Sequence, residues 1–91
     1  MRSRLYIRYL HTTAWHAKRQ QRLAIAGGRC EWRVLFWRCK ERHALECHHR
    51  TYRRLGNERM SDLAMLCKFH HGLADRLRRA RVALLRKMGM R

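Results

Sequence analysis

Two histidine pairs, each with a cysteine close before it, are the residues best suited to chemistry in this chain. They are His48-His49, after Cys47, and His70-His71, after Cys67. Four imidazoles thus fall within 24 residues. Imidazole is the commonest protein metal ligand, and near neutral pH it can accept a proton. Histidines interleaved with cysteines read first as metal ligands. There are six acids: Glu31, Glu41, Glu46, Glu58, Asp62 and Asp75. Two of them, Glu46 and Asp62, lie inside the histidine motif, which suggests a cation to be held. The plainer alternative for His48, His49 and His71 is a purely structural zinc site.

The rest of the chain is strongly basic. Twenty-three Lys and Arg oppose the six acids, for a net charge of +17. Such a charge opposes compaction and favours polyanions. Nucleic acid is the first partner expected, because each neutralised phosphate releases counterions. A membrane surface comes second, and the sequence has neither the long apolar run of a span nor the pattern of a signal peptide. A hydrolytic metal inside a positive shell points to cutting nucleic acid. The four cysteines, Cys30, Cys39, Cys47 and Cys67, would allow two disulfides. In the reducing cytoplasm expected here, they read instead as ligands or thiols.

The elements that must position these groups fit one small domain. Ninety-one residues are too few for two cores, and a chain this short often leans on a metal, a disulfide or a partner. The expected core spans about 28–80, with a helical extension at 1–27 and a basic helix end at 81–91. Thr12 or Thr13 caps a first helix, which runs through Ala14 to Ala26 and stops at Gly27-Gly28. Cys30 to Cys39 is irregular or a short hairpin. Ala44 to Arg50 predicts a strand ending in the first histidine pair. Leu55-Gly56-Asn57 marks a turn, and Leu63 to Leu66 predicts a second strand. The last helix opens at Cys67 or Lys68 and reaches about Lys87. Its apolar stripe is Phe69, Leu73, Leu77, Ala80 and Leu84. His71 and Asp75 lie one turn apart, well away from that stripe. Trp15, Trp32, Trp37 and Phe69 are expected in the core.

The stretches Leu45-Glu46-Cys47-His48-His49-Arg50-Thr51-Tyr52-Arg53-Arg54-Leu55-Gly56-Asn57-Glu58 and Asp62-Leu63-Ala64-Met65-Leu66-Cys67-Lys68-Phe69-His70-His71 resemble the HNH endonuclease family. Its core is the ββα-metal fold, an α+β arrangement. The resemblance spans roughly Tyr9 to Asp75 and takes in Tyr9-Leu10, Trp15, Arg19, Leu23 and Gly28-Arg29-Cys30-Glu31. It implies a small metal-dependent nuclease hydrolysing DNA phosphodiester bonds in a bacterial or phage-infected cell. His48 would hold the catalytic divalent cation and His49 would be the general base. Asp62 occupies the family's asparagine position, with Asn57 an alternative in the loop. Asp62 would orient the base or bind metal. His71 matches the family's final histidine. Asp75 stands where many members have another, as an oxygen ligand for magnesium or manganese or as a partner of Arg78 or Arg79. Zinc or nickel is the further option for that cation.

Many relatives also carry a structural zinc on two Cys-x-x-Cys knuckles. This chain departs from both. Cys30-Glu31-Trp32-Arg33 lacks the second cysteine, and Cys67-Lys68-Phe69-His70 ends in histidine. Cys39, nine residues before His48, supplies the missing ligand. The expectation is a distorted Cys3His site of Cys30, Cys39, Cys67 and His70; free thiols at Cys30 and Cys39 are the alternative. Cys47 packs as a small apolar residue. Arg50, Arg53, Arg54, Arg78 and Arg79 are the expected phosphate contacts, extended by Arg86, Lys87 and Arg91. DNA is the expected partner, in a monomer or a homodimer, with no membrane. The rivals are a zinc-containing DNA-binding module without catalysis and a basic RNA-binding protein.

Overall fold

The two strands that carry the site residues pair with each other, and the rest of the chain is arranged around them. The computed structural model describes residues 3–89. Their elements run α1 (Arg4–Leu10), α2 (Thr13–Ile25), β1 (Arg33–Val34), β2 (Trp37–Arg38), β3 (Leu45–His49), a 3-10 turn (Met60–Asp62), β4 (Leu63–Cys67) and α3 (Lys68–Lys87). This is a small α+β fold with three helices and two antiparallel hairpins among the described residues. No helix among them is long and apolar enough to cross a membrane. Arg91 lies outside the described residues.

Local chemistry explains the boundaries. The Thr12 hydroxyl accepts from the Trp15 amide and caps α2. Gly27 and Gly28 both have positive φ, and their amides donate to the Ala24 and Leu23 carbonyls. This double bond over two left-handed glycines closes the helix C-terminus. Cys67 ends β4 and opens α3, its Sγ accepting from the His70 amide. In the β3–β4 hairpin, His48 faces Ala64 and His49 faces Leu63. Glu31 runs along the free side of β4, its amide donating to the Met65 carbonyl and its carboxylate accepting from the Met65 amide. Arg22 of α2 grips the same carboxylate.

The helical extension expected over 1–27 contains a separate first helix, α1, before the one that Thr12 caps. This first helix has seven residues, Ser3 as its cap and no buried residue. Such a short segment lacks a readable apolar period. Its place is set by distant contacts of Tyr6 and Tyr9.

The core is small and unusual. Its large buried apolar residues are Trp15, Leu63, Met65 and Leu66, and the remaining buried apolar positions are Ala26 and three cysteines. Two expectations are corrected here. Trp37 and Phe69 are exposed rather than in the core, while Trp32 is half-buried. The apolar stripe of α3 is not its packed face, since Phe69, Leu77 and Leu84 are all exposed. The helix instead turns His70, His71, Ala74, Asp75 and Arg78 toward the hairpin. Polar groups that bind one another hold this face. An apolar stripe has nothing to pack on where the two-stranded sheet is only five residues long.

Candidate metal centres and an imidazole–carboxylate pair

Adjacent residues of β3 point to opposite faces, so His48 and His49 enter different surroundings. His48 faces α3. Its Nδ1 lies 3.8 Å from Asp75 Oδ1, and His71 Nε2 lies 3.8 Å from Asp75 Oδ2. The ligand atoms of His48, His71 and Asp75 all fall within 4.8 Å of one another. Spacings of 3.8 Å exceed a hydrogen bond. Ligands about 2.1 Å from a shared ion would lie about 3 to 3.5 Å apart, so a slight contraction would close the set on a cation. Two nitrogens and one carboxylate oxygen suit a divalent metal.

Two further features support that fit. Burial, with the Arg78 guanidinium and His71 adding to it, pushes the His48 imidazole down to about 4. It is therefore neutral at pH 7, as a metal ligand must be. On the far side of His71, Nδ1 is 2.7 Å from Glu46 Oε1. A carboxylate there fixes the ring and leaves Nε2 facing Asp75, a common outer-shell arrangement for metal-bound histidine.

His49 faces the other way. It is only 2% exposed. Its ring stacks between Trp15, at 4.8 Å, and Tyr52, at 4.9 Å, with the Tyr6 ring edge-on. Nε2 is 2.8 Å from Glu58 Oε2, and the Tyr6 hydroxyl is 3.5 Å from Nδ1. A carboxylate only accepts, so Nε2 donates to Glu58 and Nδ1 keeps its lone pair. Glu58 also receives the Tyr9 hydroxyl at 2.5 Å and the Lys18 ammonium at 3.0 Å on Oε1. Burial pushes the Glu58 carboxyl up, but the hydrogen bonds from Tyr9, His49 and Lys18 outweigh it and hold it down at about 2. Tyr9 is raised well above its ordinary value by burial and by that same carboxylate.

Asp62, expected to orient the base, makes its polar contacts elsewhere. Its two oxygens accept from Arg54 Nε, at 2.8 Å, and Arg54 Nη2, and it also accepts from the Arg59 amide. The Arg54 pair holds its carboxyl well below the usual range. Asp62 thus ties down the 3-10 turn before β4, and the acid on the imidazole is Glu58. Asn57 donates its amide to the Arg54 carbonyl within the loop. Glu58 was readable only as the other acid between the two strands, nine residues after His49. Its sequence neighbours do not distinguish it.

The second centre lies where β4, α3 and the β1–β2 hairpin meet. Cys30, Cys39, Cys67 and His70 are all buried, with ligand atoms within 4.8 Å of one another. His70 Nδ1 is 3.6 Å from Cys30 Sγ and 3.2 Å from Cys67 Sγ. The sulfur–nitrogen edge of a zinc tetrahedron is about 3.6 Å from ordinary bond lengths, so the pocket is close to the required size. Four donors with this composition could hold a metal such as zinc. Trp32 stacks on the His70 ring at 5.0 Å. Burial raises the free Cys30 thiol to about 11, a proton that metal binding would displace. Cys47 lies outside this group and is half-buried in β3, its thiol also raised to about 11 by burial.

The basic residues divide. Arg50, Arg53 and Arg79 are exposed. Arg54 is paired with Asp62, and Arg78 makes contacts within the fold. Its Nη2 donates to the His49 carbonyl and lies 3.3 Å from His48 Nε2, with the guanidinium over the Tyr52 ring. No family model matches the chain, and no curated protein or solved structure is significantly similar to it.

Proposed function

We propose that the chain is a small metal-dependent endonuclease of the HNH type that hydrolyses DNA phosphodiester bonds. One observation carries the reading: on neighbouring positions of β3, a half-formed cation site of His48, His71 and Asp75 adjoins an imidazole held by a buried carboxylate, His49–Glu58. A β-hairpin followed by a helix, with ligands from both, is what the ββα-metal resemblance implies. The excess of 17 positive charges supports a polyanionic substrate.

A divalent cation on His48, His71 and Asp75 supplies polarisation of the phosphoryl oxygen and charge neutralisation at the leaving oxygen. The chain's own groups do the rest. Glu58 fixes the tautomer of His49, so that Nδ1 is the basic nitrogen. Nδ1 takes a proton from water as the water oxygen forms its bond to phosphorus. The bond from phosphorus to the departing oxygen breaks, and that oxygen takes a proton from solvent. Arg50 and Arg53 are exposed and free to meet phosphates. The Cys3His centre holds structural zinc in this reading.

A DNA-binding zinc module without hydrolysis is the second reading. It is favoured by the burial of His49, because the Tyr6 hydroxyl occupies the side of Nδ1 from which water must come. A plasmid-nicking assay with magnesium or manganese separates the two. Nicking that disappears in His49→Ala supports the nuclease. DNA binding without cleavage in every metal supports the module. Tight RNA binding with no metal in the native mass spectrum would favour the RNA-binding rival.

A further inference from the structure

The loop between β1 and β2 joins Val34 to Trp37 through only two residues, Leu35 and Phe36. Two-residue hairpin loops favour Asn and Gly because they need positive φ. Leu35 sits at φ 53, a conformation that costs a residue with a Cβ about 1–2 kcal/mol. Phe36 is fully exposed and Leu35 is 86% exposed. Val34 and Trp37 continue the patch. Folding gains nothing from two large apolar side chains at this tip, and the backbone is strained by one of them. Strain of this kind points toward a use outside the fold.

The tip is held firmly. At its base the Cys39 amide donates to the Trp32 carbonyl, and Arg38 bonds the Cys30 and Ala26 carbonyls. Cys30 and Cys39, two of the four candidate zinc ligands, flank the hairpin. The surroundings are basic. Arg33 is exposed beside the tip, while the nearest acids are engaged, Glu31 by Arg22 and Glu41 by His43. A cleft of about 380 Å3 is lined by Arg22, Glu31, Trp32, Arg33, His48 and Arg50 among others. Arg33, two residues before the tip, and His48 of the candidate cation site therefore line one largely basic cleft.

We infer that the β1–β2 tip is a wedge for DNA, with Phe36 and Leu35 inserting at a base step while Arg33 and Arg50 meet the flanking phosphates. The inference rests on the nuclease reading for its choice of polyanion. A two-stranded ribbon fits a DNA groove, and apolar side chains can part neighbouring base pairs. The wedge would hold the duplex so that the strand in the cleft passes His48.

The test uses the full chain, without added magnesium or manganese, and a fluorescein-labelled duplex carrying 2-aminopurine. Binding of the wild type should raise 2-aminopurine emission as bases unstack. In the double variant Phe36→Ser, Leu35→Asn, this rise should vanish and affinity should fall about tenfold, in the range one stacked base contributes. The salt dependence of binding should keep its slope, since phosphate contacts remain. Phe36→Trp should restore both signals. Both tip residues are exposed, and unchanged circular dichroism confirms the fold of the variants. Equal affinity and emission in the double variant would overturn the wedge. So would unaltered DNA binding alongside lost binding to phosphatidylserine vesicles, or a change from dimer to monomer in sedimentation. Nicking by a wild type that shows no emission change removes the wedge and leaves the nuclease. Emission change without nicking in any metal does the reverse.

Discussion

Glu58 receives three donors at once, so Glu58→Gln is a sharp probe of the site. The carboxylate takes Nε2–H of His49 on Oε2, and Tyr9 and Lys18 on Oε1. Glutamine has the same shape but one oxygen and one NH2. If its oxygen faces Tyr9 and Lys18, its NH2 faces His49 Nε2. The imidazole must then put its proton on Nδ1, and the base is lost. If its oxygen faces His49, an NH2 meets an ammonium and a hydroxyl, both donors. The first orientation satisfies all three groups only by moving the imidazole proton, and the second leaves the Lys18 ammonium without its acceptor. The first predicts a fall in nicking rate of about 10^2 to 10^4, the scale of a wrong tautomer in a related carboxylate–imidazole pair. The second predicts a stability loss of about 2–4 kcal/mol, from charge-assisted bonds and a buried pair broken on one side. For a domain of this size that lowers Tm by on the order of 10 °C.

Acid gives an independent check on the same residue. Glu58 falls from an ordinary 4.5 to about 2 in the fold. A depressed carboxyl adds stability that is complete above its unfolded value and lost as pH falls toward the folded one. The gap in stability between wild type and Glu58→Gln should therefore be constant above about pH 5.5 and close between about pH 4.5 and 2. Urea unfolding across that range and plasmid nicking at pH 7 measure the two arms. A variant with the wild-type midpoint, nicking rate and acid profile would refute the role given to this carboxylate.

Other perturbations separate the remaining groups. Exhaustive chelation, or Cys67→Ala, should abolish the far-ultraviolet circular dichroism of the native fold. Cys47→Ala should leave zinc stoichiometry unchanged, as read by native mass spectrometry. Arg50→Ala and Arg53→Ala should each reduce the slope of log affinity against log salt for DNA by about one. Arg54→Ala should instead lower Tm by releasing Asp62, with little change in that slope. Glu46→Ala should weaken manganese binding about 10- to 100-fold in calorimetry by freeing the far side of His71.

The parts of this fold that are legible in the sequence are those set by local chemistry. Thr12, the Gly27-Gly28 pair and the Cys67-to-Lys87 run mark helix ends through capping alone. The Leu45 and Leu63 segments announce strands through short apolar runs next to histidines. The Cys30, Cys39, Cys67 and His70 grouping is legible through the family resemblance, which supplies ligand positions that the wide Cys30-to-Cys39 spacing alone leaves open. Residues placed by distant partners are not. Tyr6 and Tyr9 acquire meaning only when α1 reaches His49 and Glu58. Asp62 and Glu58 are two acids four residues apart in one loop, and only the folded path of that loop decides which meets Arg54 and which meets the imidazole. The α3 stripe misleads for a related reason. Hydrophobic period indicates the buried face only where an apolar surface awaits it, and here the opposing strand offers histidine.

That substitution of ligands for apolar packing explains why the two centres lie so close. His70 and His71 are consecutive on α3, so their side chains diverge by about 100° around the helix axis. One enters the cysteine cluster and the other the cation triad. The same opening turn of α3, pinned through Cys67 at the end of β4, thus sets the position of both. An ion among Cys30, Cys39, Cys67 and His70 would fix the helix start against β4 and the β1–β2 hairpin together. His71 and Asp75 then need only the rigidity of the helix to keep their spacing to His48. In a domain with few large buried side chains among the described residues, a metal-loaded Cys3His centre would take the positioning role that a larger protein gives to its apolar core.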